Sequence, residues 1–194
     1  MDRVHGLFAL GTTGEATGVS PKVRREMVER TCGLVRGRVP VWVGVTDTCV
    51  EESVEMGRFA EKAGAAGVVA AAPYYLPVEQ GELMRYVKAI VERQGLPVVL
   101  YNIPALTKMG YEVETVRRLA EMGRVVGIKD SSGDIGYLRD LMAGVKREGC
   151  YQGGEVCAGG DGNMWAEDGG AVAGVWGGGE GDGEGGDWKV QIEN

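Results

Sequence analysis

An α/β fold of consecutive βα units is predicted by three observations. Apolar, β-branched runs recur at Val4–Leu10, Val39–Val45, Gly67–Ala72, Pro97–Tyr101 and Arg124–Lys129, their starts 35, 28, 30 and 27 residues apart, which is the beat of a strand and its return helix. The runs are continuous rather than alternating, as expected where both faces of a parallel strand are covered. Between them the apolar spacing turns helical, and parallel neighbours need such crossovers.

Taken in order, the first return begins at Ser20-Pro21, an N-cap followed by a first-turn proline, with Val23, Met27, Val28, Leu34 and Val35 placed on one face. In the second, Thr48 and Glu51 have capping-box spacing ahead of Met56, Ala60 and Ala63. Leu83, Val87, Ile90 and Val91 mark the third at i, i+4, i+7 and i+8. Val113, Val116 and Ala120 make the fourth, and Leu138, Leu141, Met142 and Val145 the fifth. Past residue 150 the pattern degrades, for 15 of the 34 glycines fall within Gly153–Gly186, and glycine at that density weakens strand and helix alike. Faint echoes of two further units remain in Tyr151–Asp161 and Ala171–Gly179. The domain is therefore drawn over residues 1–180, with a Gly/acid-rich disordered tail at 181–194.

At 194 residues, 44% hydrophobic and 25% charged, the chain has the balance of a single globular domain. The net charge of −7 is local: residues 151–194 hold nine of the 28 acids and one of the 21 bases, which leaves the first 150 residues near neutrality. Neither a nucleic-acid stripe nor a polybasic membrane patch is supported. No apolar run reaches the ~18 residues of a membrane span, and Met1-Asp2-Arg3 lacks a signal-peptide core, so a cytoplasmic protein is expected. Cys32, Cys49, Cys150 and Cys157 show no zinc or redox spacing and read as reduced. The single histidine, His5, cannot supply a His-rich metal cluster, which leaves Tyr, Lys or a carboxylate as a general base.

In parallel βα architectures the site lies at the carboxyl ends of the strands, so the residues that close each run are informative. Lys129 follows Val125-Val126-Gly127-Ile128 and in a regular strand shares a face with Val125 and Gly127. Desolvation there disfavours the ammonium and favours the neutral amine that attacks a ketone; the alternative is a lysine reaching out to solvent. Tyr101 closes the preceding run, and neighbouring strands lie ~4.8 Å apart, so its phenol can approach that amine; the alternative is an aromatic cap on the core. Gly11, Thr12 and Thr13 end the first run in a turn whose hydroxyls and amides could hold a carboxylate, or could form a plain glycine-bracketed turn. Tyr74-Tyr75, between Pro73 and Pro77, reads as a rigid aromatic loop suited to a subunit contact.

The ordered set Gly11-Thr12-Thr13-Gly14-Glu15, Pro73-Tyr74-Tyr75-Leu76-Pro77, Tyr101-Asn102-Ile103-Pro104 and Gly127-Ile128-Lys129-Asp130 resembles the dihydrodipicolinate synthase and N-acetylneuraminate lyase family, over roughly residues 4–145. The resemblance implies an α/β fold of the (β/α)8 TIM-barrel type and a lysine that forms an imine with pyruvate or another 2-keto acid. It implies Lys129 as the Schiff-base lysine, Tyr101 as the proton-shuttling phenol and Thr12 as the relay hydroxyl. Thr13 with Gly11 and the amides of their loop is similar to the family's pyruvate-carboxylate site, Asp161 stands where the second substrate is recognised, and Tyr75 resembles the tyrosine that enters a neighbouring subunit's site. No metal and no cofactor are expected, and a homo-oligomer is expected where the barrel is complete.

The resemblance also bears on the second substrate. The synthase branch carries an arginine at the position of Leu106, which turns the expectation toward a lyase or aldolase acting on a sugar acid, N-acetylneuraminate or a related 2-keto acid. The alternative is 4-hydroxy-tetrahydrodipicolinate synthase chemistry, pyruvate with aspartate semialdehyde. Since an eight-strand barrel takes ~250 residues, the barrel is expected to be incomplete, lacking its first strand and its C-terminal part. A catalytically silent truncated fragment is thus a further alternative, and a generic doubly wound binding domain a third.

Overall fold

A computed structural model describes residues 6–145, 150–151 and 174–177. Strands β1 (Leu7–Ala9), β2 (Val41–Gly44), β3 (Gly67–Ala71), β4 (Val98–Asn102) and β5 (Val125–Asp130) lie side by side in chain order, each parallel to the next. The returns are α1 (Pro21–Val35), α2 (Val50–Ala63), α3 (Gln80–Arg93), a single turn α4 (Pro104–Thr107) followed by α5 (Val113–Ala120), and α6 (Ile135–Gly144) after β5. Every expected strand and helix is present over this stretch, and the arrangement is an arc of a (β/α)8 barrel. Among the described residues no helix is long and apolar enough to cross a membrane.

The helix ends follow local chemistry, with two departures from expectation. Ser20 Oγ accepts the Val23 amide at 3.4 Å ahead of Pro21, as the sequence predicts. At α2 the Thr48–Glu51 box does not form: Asp47 Oδ1 takes the Cys49 amide at 3.1 Å, and Glu51 instead faces Arg93 at 3.4 Å. Asp is the better local acceptor for an amide two residues on, and it pre-empts the threonine. On α1 the buried stripe is Val28, Cys32 and Val35, whereas Val23 and Leu34 are exposed.

The sheet separates two apolar layers. One side of the strands, with Val43, Val68, Ala70, Val98, Leu100 and Ile128, packs against Val28, Val54, Leu83, Ile90, Leu119 and Leu141 of the helices. The other side gathers Val69, Ala71, Val99 and Tyr101, with Phe8, Trp42, Ile103 and Val126 against them. This second cluster faces the inside of the barrel arc.

One register shift decides which layer the end of β5 enters. Val98 pairs with Val125, yet Val99 pairs with Gly127, so Val126 is an extra residue opposite no partner, a β-bulge. Alternation restarts after it. Val125 packs on the helix side, and so does Ile128, an odd number of residues later. The expectation that Lys129 shares a face with Val125 is therefore corrected: the bulge turns Lys129 to the inner face, opposite Tyr101, and Asp130 to the helix side, opposite Asn102.

Two short strands, β6 (Cys150–Tyr151) and β7 (Gly174–Gly177), complete the sheet in the order β1-β2-β3-β4-β5-β7-β6. β7 lies within, and β6 ends at the first residue of, the stretches where further βα units were expected, but β7 runs antiparallel to β5 and β6 antiparallel to β7. A glycine-flanked strand has few side chains with which to fix direction or register. The tail expected over 181–194 lies outside the described residues.

Candidate active site

Tyr101 and Lys129 are register partners at the carboxyl ends of β4 and β5. Lys129 Nζ stands 4.3 Å from the Tyr101 ring centroid and 5.3 Å from that of Phe8. The two rings meet edge to face, centroids 6.1 Å apart and planes at 77°. The amine thus lies against the faces of two rings, an arrangement that holds a cationic or polar nitrogen in place without fixing it by a hydrogen bond. Among the described residues no hydrogen bond engages Lys129 Nζ or Tyr101 Oη.

The Gly11–Thr13 turn reaches this cluster through Phe8. A Cβ at Gly11 would stand 3.0 Å from the Phe8 ring, so glycine lets the turn lie close on the aromatic that covers Lys129. The turn is entered through Leu10, buried and left-handed at φ 58°, and closed by the Glu15 amide on the Thr12 carbonyl at 2.9 Å. Gly44 packs under the Leu10 carbonyl, where any Cβ would overlap it. Thr12 and Thr13 are exposed at the tip.

Tyr75 is not gathered with these residues. It is 74% exposed on the loop after β3, beside Leu76 at 67%, and no ring contact or hydrogen bond joins it to Tyr101 or Lys129. Its carbonyl accepts Lys108 Nζ at 3.3 Å, and Lys108 itself is left-handed at φ 62°. Asp161 lies outside the described residues. No group of three His, Cys, Asp or Glu side chains comes together among the described residues.

Behind the pair, on the helix side, lies a polar network that the sequence reading missed. Asn102 Nδ2 donates to Asp130 Oδ1 at 2.7 Å, Ser132 Oγ donates to Asp130 Oδ2 at 2.8 Å, and the Tyr111 amide donates to Asn102 Oδ1 at 3.0 Å. Tyr111 Oη in turn donates to the Ala70 carbonyl of β3 at 3.1 Å. Burial raises the Tyr111 phenol well above its ordinary pKa, which keeps it a donor. Burial first and the Asp130 charge second also raise the Tyr137 phenol. The available signal was a polar residue directly after each candidate catalytic residue. Phe8 gave no such signal, being one apolar residue in an apolar run.

A 4-hydroxy-tetrahydrodipicolinate synthase of Rhodospirillum centenum is 40% identical over 131 residues, 68% of this chain and 45% of that protein. The probable 2-dehydro-3-deoxy-D-pentonate aldolase YjhH of Escherichia coli is 41% identical over 144 residues, 74% of this chain and 48% of that protein. Among solved structures, Escherichia coli YagE, a prophage protein of the dihydrodipicolinic acid synthase family in complex with pyruvate, is 36% identical with a TM-score of 0.71, covering 73% of this chain and 48% of that one. The dihydrodipicolinate synthase of Bacteroides thetaiotaomicron is 41% identical with a TM-score of 0.70, over 74% and 48%. The chain spans about half the length of the relatives it matches. With residues 2–164 matching the family's own sequence pattern, the chain belongs to the dihydrodipicolinate synthetase family.

Proposed function

We propose that this protein joins or cleaves a carbon–carbon bond between pyruvate and an aldehyde through a Schiff base on Lys129. The observation that carries the reading is the pairing of Tyr101 with Lys129 on the inner face of the barrel arc, with Nζ held against two rings. The neutral amine attacks the pyruvate C2 carbonyl to give a carbinolamine, and Tyr101 passes the proton that lets its hydroxyl leave as water. The resulting imine draws electrons from C3, which attacks the aldehyde carbon in condensation or is released from it in cleavage. Thr12 relays protons to Tyr101, while Thr13 and the amides around Gly11 hold the pyruvate carboxylate. Tyr75 acts from a neighbouring copy in a homo-oligomer, and Asp161 meets the second substrate. The enzyme works in the cytoplasm without metal or cofactor.

The relatives favour the synthase reading, in which the aldehyde is aspartate semialdehyde, over the sugar-acid reading drawn from the sequence. Most of the similar curated proteins carry the name 4-hydroxy-tetrahydrodipicolinate synthase. A sugar-acid aldolase is the second reading, supported by the 41% identity to the pentonate aldolase and by an exposed Leu106 at the mouth, which offers a second carboxylate no cation.

Incubation with pyruvate and borohydride tests the shared chemistry: an added mass on the Lys129 peptide is expected, absent in Lys129→Ala. A folded chain that takes up no label overturns the proposal and leaves the silent-fragment reading. Consumption of pyruvate with aspartate semialdehyde, measured against release of pyruvate from 2-keto-3-deoxy sugar acids, then separates the two substrates.

A further inference from the structure

We infer that Asn102 and Asp130 form a clamp that sets the spacing of Tyr101 and Lys129, and that both are positioning residues for the Schiff-base step. The inference rests on the reaction proposed above and names residues that act behind it. Each member directly follows one of the reacting pair, and because alternation puts successive side chains on opposite faces, the clamp closes on the helix side while the reacting pair faces inward. Asn102 and Asp130 are register partners, joined at 2.7 Å, and 2% and 1% exposed.

Ordinary sheet pairing does not require this bond. An acid on an otherwise apolar helix side needs donors to be tolerated, and here they come from three places: Asn102 Nδ2, Ser132 Oγ at 2.8 Å and the Ser132 amide at 3.4 Å. Asn102 completes the strap, its Oδ1 taking the Tyr111 amide and its carbonyl taking the Ser131 amide at 2.8 Å. Through Tyr111 Oη on Ala70 the ends of β3, β4 and β5 are tied together. A strap is needed at this place because the Val126 bulge interrupts the ladder between β4 and β5, and bulged pairs twist and splay. Displacement of reacting groups by ~1 Å can cost about 10²-fold in rate, so the strap acts on the rate through geometry.

The test is an exchange of the two side chains in the full chain. Asn102→Asp sets two acids face to face and is expected to lower the maximal rate of pyruvate–borohydride labelling at Lys129 by about 10–10²-fold. Half-saturating pyruvate is expected to stay unchanged, because its carboxylate is held by the turn after β1. The double variant Asn102→Asp/Asp130→Asn restores one donor and one acceptor and is expected to regain a rate within about 3-fold of wild type, the coupling expected of a direct contact. Amide exchange at Tyr111 and Ser131 should rise in the single variant and fall back in the double. Should Asn102→Asp not fold, Asn102→Ala removes the donor without opposing two acids and is read the same way. Wild-type labelling in a folded single variant, or a double variant no better than the single, overturns the clamp. A wild-type chain with protected amides that is never labelled overturns the aldolase reading instead.

Discussion

Tyr101 has a hydroxyl and a ring, and they do separable work. The ring is buried and packs on Phe8 and Lys129, so Tyr101→Phe is expected to melt close to wild type while labelling of Lys129 slows by ~10²–10⁴-fold, the usual range for loss of a positioned acid–base group. Tyr101→Ala also empties the space and should cost ~3–5 kcal/mol in denaturant titration. Equal labelling by Tyr101→Phe and wild type would remove the phenol from the mechanism. Both Tyr101 and Lys129 were legible in the sequence, because a polar or titratable group closing an apolar run stands out against its neighbours. Phe8 was not legible, since nothing in Leu7-Phe8-Ala9 says which ring will cover an amine four strands later in the chain. Asn102 and Asp130 were visible as letters, but a hydrogen bond between strands 28 residues apart is a fact of register.

At the scale of single elements, Val126 and Gly44 carry the specific geometry. Deletion of Val126 removes the bulge and leaves Gly127–Asp130 paired with Val99–Asn102, so Lys129 stays opposite Tyr101 on the inner face. Labelling at Lys129 is therefore expected to persist, checked by peptide mass; labelling at background in a chain that circular dichroism reports as folded would tie the reaction to the bulge itself. Gly44→Ala drives a methyl into the Leu10 carbonyl. Since Leu10 already holds a left-handed conformation, the turn carrying Gly11, Thr12 and Thr13 has to move. We expect a loss of ~1–3 kcal/mol and a weaker half-saturation for pyruvate; an unchanged pyruvate dependence would detach the turn from the carboxylate. Strand positions were readable because continuous apolar runs mark parallel strands. The bulge was not, because Val125-Val126-Gly127 reads as an unbroken run whichever residue is the extra one.

Across the whole molecule, the helix-side layer is continuous from α1 to α6, and buried phenols are built into it. Tyr86 is pushed up to about 12, chiefly by burial, while its bonds to Ser53 and Asp47 work in the opposite direction. A phenol whose folded pKa is raised keeps its proton longer in the folded state than in the unfolded one. The contribution of Tyr86 is therefore flat below the ordinary value of 10 and declines as pH climbs from there to about 12, with Tyr111 adding to the decline in the same direction and the buried Cys32 thiol, raised from 9.0, beginning it somewhat earlier. Urea midpoints followed upward in pH should fall most steeply in that window; a midpoint constant through it would contradict the buried state of both phenols. Tyr75, Leu76 and Leu106 remain exposed at the carboxyl end of the strands, the surface on which the proposed neighbouring copy would rest.

The sequence by itself determined the architecture and the chemical vocabulary: five parallel strands with helical returns, and a lysine, a tyrosine and a threonine turn at the strand ends. Those follow from period and composition, which act over a few neighbouring residues. The tertiary structure alone decided which way Lys129 faces, which aromatic rings hold it, and that a buried asparagine and aspartate tie the two strands behind it. The physical reason is that a side chain's face on a strand depends on the pairing register, and one inserted residue, invisible in an apolar run, reverses every face beyond it.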